Sequence, residues 1–166
     1  MGVVGIADVS GIGTRYGVYG SASGGATNYA GYFAGNVTVT GTFANPSDLN
    51  LKKNIKRFQG ALSKIVELNG VTYEWKSEEE LKGIRKSDEK GEYSLFNFSQ
   101  GIQLGVIAQE VEKILPELVH TDSDGIKSVD YIKMTPVLIE AIKELKTEND
   151  DLKARLERLE KLILER

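Results

Sequence analysis

A seven-residue apolar repeat runs through residues 134–166 and narrows what this chain can become. Ile142, Asn149, Leu156 and Ile163 recur at one heptad position, and Leu138, Leu145, Leu152 and Leu159 recur at a second, three or four residues away. This is the a/d seam of a coiled coil, about four heptads long. The flanking charges suit parallel self-association: Glu148 at g faces Lys153 at the following e, and Arg155 faces Glu160. A lone surface helix packing on its own domain is the alternative, but few apolar residues lie outside the seam in its later heptads. Asn149 at an a position fixes register, and on rules from short coiled coils a lone asparagine there leans toward dimers.

Two other regions precede this helix. Residues 1–46 hold most of the 18 glycines and few charges. Three similar pieces recur at a spacing of about 15 residues: Gly2-Val3-Val4-Gly5, Gly17-Val18-Tyr19-Gly20 and Gly31-Tyr32-Phe33-Ala34-Gly35, a pattern of stacked short strands bounded by glycine turns. Val37-Thr38-Val39-Thr40 alternates as a further strand. So small a stretch buries too little apolar surface to fold alone, so it needs a partner, most simply other copies of itself. A flexible glycine linker is the rival reading, and the regular placement of Tyr19, Tyr32 and Phe33 argues against it. The chain opens in the middle of a repeat, which reads as a piece of a longer protein.

Residues 47–133 read as a mixed α/β domain. Phe58, Leu62, Ile65, Val66 and Leu68 predict a helix over 55–68, ended by Asn69-Gly70. Residues 71–75 alternate as a strand, 77–92 form a charged, exposed excursion, 103–107 give a short strand, and 109–115 a short helix closed by Pro116. Apolar runs at 118–120 and 126–129 flank Asp122-Ser123-Asp124-Gly125, a strong hairpin signal.

The bulk chemistry excludes several classes. The 166 residues carry 21 basic and 24 acidic side chains, a net charge of −3, so there is no basic excess for nucleic acid. The chain has no cysteine, and its single histidine, His120, leaves neither a histidine metal cluster nor a Ser-His-Asp triad within one chain. No apolar run approaches the roughly 18 residues of a membrane span. The N-terminus lacks the basic and apolar regions of a signal peptide, and Ile6 stands where a myristoylation signal wants Ser or Thr. Asp122 and Asp124 with Gly125 resemble part of a calcium loop, but the glycine comes too early and the distal Glu is missing. Gly11-Ile12-Gly13 is too short for a dinucleotide fingerprint. Trp75 and Tyr73 read as core, His120 as structural, and Gln109 and Glu110 as solvated positions on a short amphipathic helix.

At the border of the first two regions stands Asn45-Pro46-Ser47-Asp48-Leu49-Asn50-Leu51-Lys52-Lys53-Asn54-Ile55. Serine is a poor nucleophile until a base removes its proton, and without a nearby histidine the candidate base is a lysine. Lysine serves only where burial or neighbouring positive charge lowers its pKa; Lys52 and Lys53 are adjacent. Five residues along a helix turn through about 140°, and five along a strand end on the opposite face. A Ser47–Lys52 contact therefore requires a bend. On pattern alone, Ser47-Asp48 after Pro46 is more often a turn or helix cap.

Three separated stretches together resemble the intramolecular chaperone auto-processing domain of phage endosialidases, tail spikes and tail fibres, a domain similar to one in the myelin regulatory factor of animals. They are Ser47-Asp48 with Lys52-Lys53-Asn54-Ile55; Leu104-Gly105-Val106-Ile107-Ala108-Gln109-Glu110-Val111-Glu112 followed by Pro116-Glu117-Leu118-Val119; and Val129-Asp130-Tyr131 leading to Leu138-Ile139-Glu140-Ala141-Ile142-Lys143-Glu144-Leu145. The resemblance implies an α+β homotrimer. In it, a glycine-rich β stalk (1–46) leads into a chaperone auto-processing domain (47–133) and a parallel coiled-coil helix (134–166). The domain trimerises, helps fold the β-rich fibre or spike segment before it, and cuts its own chain. Carried over, Ser47 is the nucleophile, Pro46–Ser47 the scissile bond, Lys52 the base of a Ser–Lys dyad, and Asp48 a polar neighbour that orients the site. Pro46 on the acyl side departs from the family and stiffens the approach. The resemblance implies no cofactor and no metal. The partners are other copies of the chain and its own upstream segment, not nucleic acid or membrane, and the place is a phage virion tail or the host cytoplasm during assembly. Two rivals are a trimerisation module that never cuts and a receptor-binding tip that uses residues 77–98.

Overall fold

The computed structural model describes residues 16–25, 28–31, 33, 35–81, 83–84 and 98–165. The first glycine repeat, Tyr32 and most of the charged excursion lie outside these. Among the described residues the chain is α+β, with short helices, two antiparallel two-stranded ladders and one long helix.

The first helix, α1, spans Ala61–Val66, shorter than the apolar spacing over 55–68 predicts. Gly60, at φ 67°, occupies its N-cap in a left-handed conformation that glycine adopts without a Cβ penalty and that no helix continues through. Phe58 therefore packs against the core from outside the helix. Strand β1 (Val71–Tyr73) pairs antiparallel with β2 (Gln103–Gly105), in the register Val71 to Gly105 and Tyr73 to Gln103. Helix α2 (Glu78–Leu81) opens the excursion between them. Helix α3 (Ala108–Ile114) follows, closed by a 3-10 turn at Pro116–Leu118, where proline cannot extend the α-helical ladder. Strands β3 (Val119–Thr121) and β4 (Lys127–Val129) form the hairpin. Gly125, at φ 87°, makes its turn possible, and the Asp122 carboxylate accepts from the amides of Asp124 (3.0 Å) and Ile126 (2.9 Å). The acidic cluster is thereby turn chemistry.

Helix α4 spans Tyr131–Leu164. Asp130 caps it by accepting from the Lys133 amide at 3.1 Å, and the Lys133 ammonium first, then this cap, hold the Asp130 carboxyl below its ordinary pKa. Pro136 sits inside the helix and has no N–H to offer the Ile132 carbonyl.

The core is small: Ala61, Val111, Leu115, Leu118, Val137 and Ala141 are buried, with Phe58, Leu62, Ile65, Val106 and Met134 among those packed against them. α4 meets α1 through Met134, Val137 and Ala141, residues three and four apart on one face. Its heptad seam lies about 100° round the helix, and Ile142, Leu145, Leu152, Leu156 and Leu159 stay exposed. The helix can therefore hold α1 with one face and offer the seam to another chain. Residues 16–46, where described, are exposed and form no strand, Val37–Thr40 included. Among the described residues of one chain the expected strands show no ladder; a short strand without a partner is not stable alone.

Gly105 explains one of the motifs. A Cβ there would lie 2.9 Å from the Tyr131 phenol oxygen and 3.2 Å from the Tyr73 ring, and that oxygen accepts the Val106 amide at 3.3 Å. Burial, and then the neighbouring Tyr131, raise the Tyr73 pKa. Gly105→Ala is expected to lower unfolding stability by about 1–2 kcal/mol, the cost of overpacking where the neighbours cannot retreat without losing a hydrogen bond; a urea titration of wild type against variant measures it.

Candidate functional site

The bend that a Ser47–Lys52 contact requires is a single 3-10 turn at Leu49–Leu51. Asp48 before it and Lys52 after it are both extended, at φ −62°, ψ 139° and φ −117°, ψ 147°. The tighter winding of the turn, with extended backbone on each side, brings the two side chains together where a continuous helix or strand would part them. The Lys52 Nζ donates to Ser47 Oγ at 2.7 Å, within one chain.

Asp48 builds the turn. Its carboxylate accepts from the Asn50 amide at 2.8 Å, its carbonyl accepts from the Leu51 amide at 3.1 Å, and the Leu49 carbonyl accepts from the Lys52 amide at 3.0 Å. The cap reading of Ser47-Asp48 and the contact reading therefore hold together: the cap makes the contact. Asn54 follows at φ 54°, a left-handed conformation that asparagine tolerates better than other residues with a Cβ. Pro46, Ser47, Lys52 and Lys53 are exposed, and so are the apolar Leu49, Leu51 and Ile55 around them, the first two at 70% and 72%.

The other residues singled out in the sequence lie elsewhere. Glu110 accepts from the Asn69 side chain at 3.4 Å, so it links α3 to the residues before β1; Gln109 is exposed. His120 is exposed on β3 opposite Ser128. Trp75 stacks on Phe98 with ring centroids 3.8 Å apart and meets Tyr73 edge-on at 5.0 Å. This aromatic group borders a polar hollow of about 350 Å³ between Trp75, Glu80 and Gln100.

Sequence reasoning passed over two acids on α4. Glu144 accepts from the amides of Ala61 (3.1 Å) and Leu62 (2.8 Å), the free N–H groups at the start of α1. Those backbone hydrogen bonds, Leu62 first, hold its carboxyl below the ordinary glutamate pKa. One turn earlier, Glu140 stands 3.9 Å from Arg57 and 2.6 Å from Lys143. On a heptad helix both acids look like members of a solvated face. Both lie in the third motif, which gave neither of them a role.

Residues 47–120 match the family described as chaperone of endosialidase, which is named as a peptidase. The long tail fiber protein Gp37 of Escherichia phage AR1 is 40% identical over 79 residues, 48% of this chain and 6% of that protein. Gp37 of Enterobacteria phage T2 is 30% identical over 114 residues, covering 66% and 7%. Gp37 of Salmonella phage S16 is 30% identical over 120 residues, covering 70% and 14%. The chain spans only a small fraction of the length of these relatives. The segment 47–120, which carries the Ser47–Lys52 contact, belongs to the chaperone of endosialidase family.

Proposed function

We propose that this chain is the trimerising intramolecular chaperone of a phage tail fibre, and that it cuts its own Pro46–Ser47 bond once assembled. The observation that carries the proposal is the 2.7 Å contact between Lys52 Nζ and Ser47 Oγ. In the contact as it stands the amine donates. For catalysis the neutral amine accepts instead: Ser47 Oγ attacks the Pro46 carbonyl carbon while its proton passes to Lys52 Nζ. The tetrahedral adduct collapses, the bond to the Ser47 nitrogen breaks, and Lys52 returns the proton to that nitrogen. Pro46 is then esterified to Ser47 Oγ, and water hydrolyses the ester. Asp48 serves by fixing the turn.

The tail-fibre assignment rests on the Gp37 relatives. Trimeric assembly rests on the exposed heptad seam and the family resemblance. The upstream glycine-rich segment, which forms no strand within one chain where it is described, is the expected client. A module that trimerises without cutting is the second reading, favoured by the exposure of both dyad residues.

Intact-mass measurement of freshly expressed protein separates the two. Self-cleavage gives a C-terminal piece that begins at Ser47, in an amount that grows with time. An unchanged full-length mass after prolonged incubation rules the cut out.

A further inference from the structure

We infer that Glu144, on the heptad-bearing helix, is a positioning residue for self-cleavage: it fastens the chain segment that carries Ser47 and Lys52 to α4. The inference rests on the self-cleavage reading above. The hydrogen bonds described for residues 47–52 close within the loop: Asn50 to Asp48, Leu51 to Asp48, Lys52 to Leu49, and Lys52 to Ser47. Those bonds set the shape of the loop but not its place. Its place is set where the chain is next tied down. Arg57 is held 3.9 Å from Glu140, Phe58 packs against the core, and the amides of Ala61 and Leu62 are held by the Glu144 carboxylate.

The Arg57–Glu140 pair is long and its arginine largely exposed, so it contributes little. The Glu144 clamp is different in kind. α1 has only six residues and no side-chain cap of its own, and a helix that short depends on tertiary contacts to form. One carboxylate, from 82 and 83 positions away in sequence, takes two of its orphan N–H groups.

Glu144 also sits between the two working faces of α4. Ala141, three residues before it, is buried against α1; Leu145, beside it, belongs to the exposed seam. A seam that packs against other copies fixes the rotation of this turn, and with it the aim of the carboxylate. Cutting requires an attacking oxygen held close to its target, and a displacement of about 1 Å costs on the order of a hundredfold in rate. Glu144 is thus a link through which assembly reaches the site by position, in addition to any cover that other copies supply.

The experiment compares Glu144→Ala and Glu144→Gln with wild type, following the cut by mass and assembly by light scattering. Hydrogen exchange reads the amides of Ala61, Leu62 and Lys52. Glu144→Ala is expected to slow the cut at least about tenfold and to expose the amides of Ala61 and Leu62, while the Lys52 amide, whose bond closes within the loop, stays protected and β3–β4 and the oligomer stay intact. Glu144→Gln keeps one acceptor oxygen and should recover part of both effects, a graded rescue that a merely destabilising change does not give. If wild type cuts and Glu144→Ala cuts as fast, the inference alone is overturned. It is overturned equally if the alanine variant is slow only because its oligomer has dissociated. A wild-type chain that stays whole overturns the self-cleavage reading first, and the catalytic role of Glu144 with it.

Discussion

Ser47→Ala and Lys52→Ala are each expected to keep the chain at full mass over a period in which wild type is cut to completion, whereas Lys53→Ala is cut much as wild type. Removing the nucleophile leaves no covalent route, and removing a general base costs about 10²–10⁴ in rate. Lys52→Arg is the sharper variant. A guanidinium can still donate to Ser47 Oγ, but it does not give up its proton at accessible pH. If Lys52 served only to hold the turn through its hydrogen bond to Ser47, arginine would keep the cut; if Lys52 is the base, arginine abolishes it. The readout is the mass of the C-terminal piece, with thermal melts confirming that each variant folds.

This prediction was half legible in the sequence. Ser47, Lys52 and Asp48 stand out in the motif, but their spacing alone argues against contact. What resolves it is a turn only three residues long, below the range in which apolar periodicity speaks. Its one local signal is Asp48, a residue whose carboxylate readily accepts from the amide two positions on. The hairpin was legible for the same reason, since Asp122 and Gly125 each impose a local geometry. The first helix was misjudged in length because apolar residues that enter a core from a loop fall at the same spacings as residues on a helix face. Phe58 does so beside Gly60. Glu144 could not have been found by any local rule, because its partners are more than 80 residues away. Gly105 belongs to the same class: its reason is Tyr131, 26 residues on.

The heptad seam carries the other large expected effect. Leu145→Asp with Leu152→Asp should abolish assembly and, with it, the cut. The two leucines are 53% and 58% exposed in the single chain, whereas Val137 and Ala141 on the neighbouring face are buried. The double variant therefore leaves the core of one chain untouched, and a failure to assemble cannot be put down to a failure to fold. In a closed seam each aspartate would bring a charge into a site with no partner and little water, opposed by the same charge from every other copy. Why the cut should follow is a matter of burial. The Ser47–Lys52 contact already forms within one chain, so assembly has no residue to add. What the single chain lacks is cover, since the dyad and the apolar Leu49, Leu51 and Ile55 around it all face water. Burial disfavours the charged form of an amine, so cover over Lys52 favours the neutral form that can take the serine proton. A trimer that closes over those apolar residues would supply that burial. Light scattering should give three chain masses for wild type and one for the double variant, with a dimer in the wild type showing that Asn149 sets the number of chains. A folded single-chain variant that still cuts at the wild-type rate would mean that one chain holds the complete active site and that the seam serves the fibre alone.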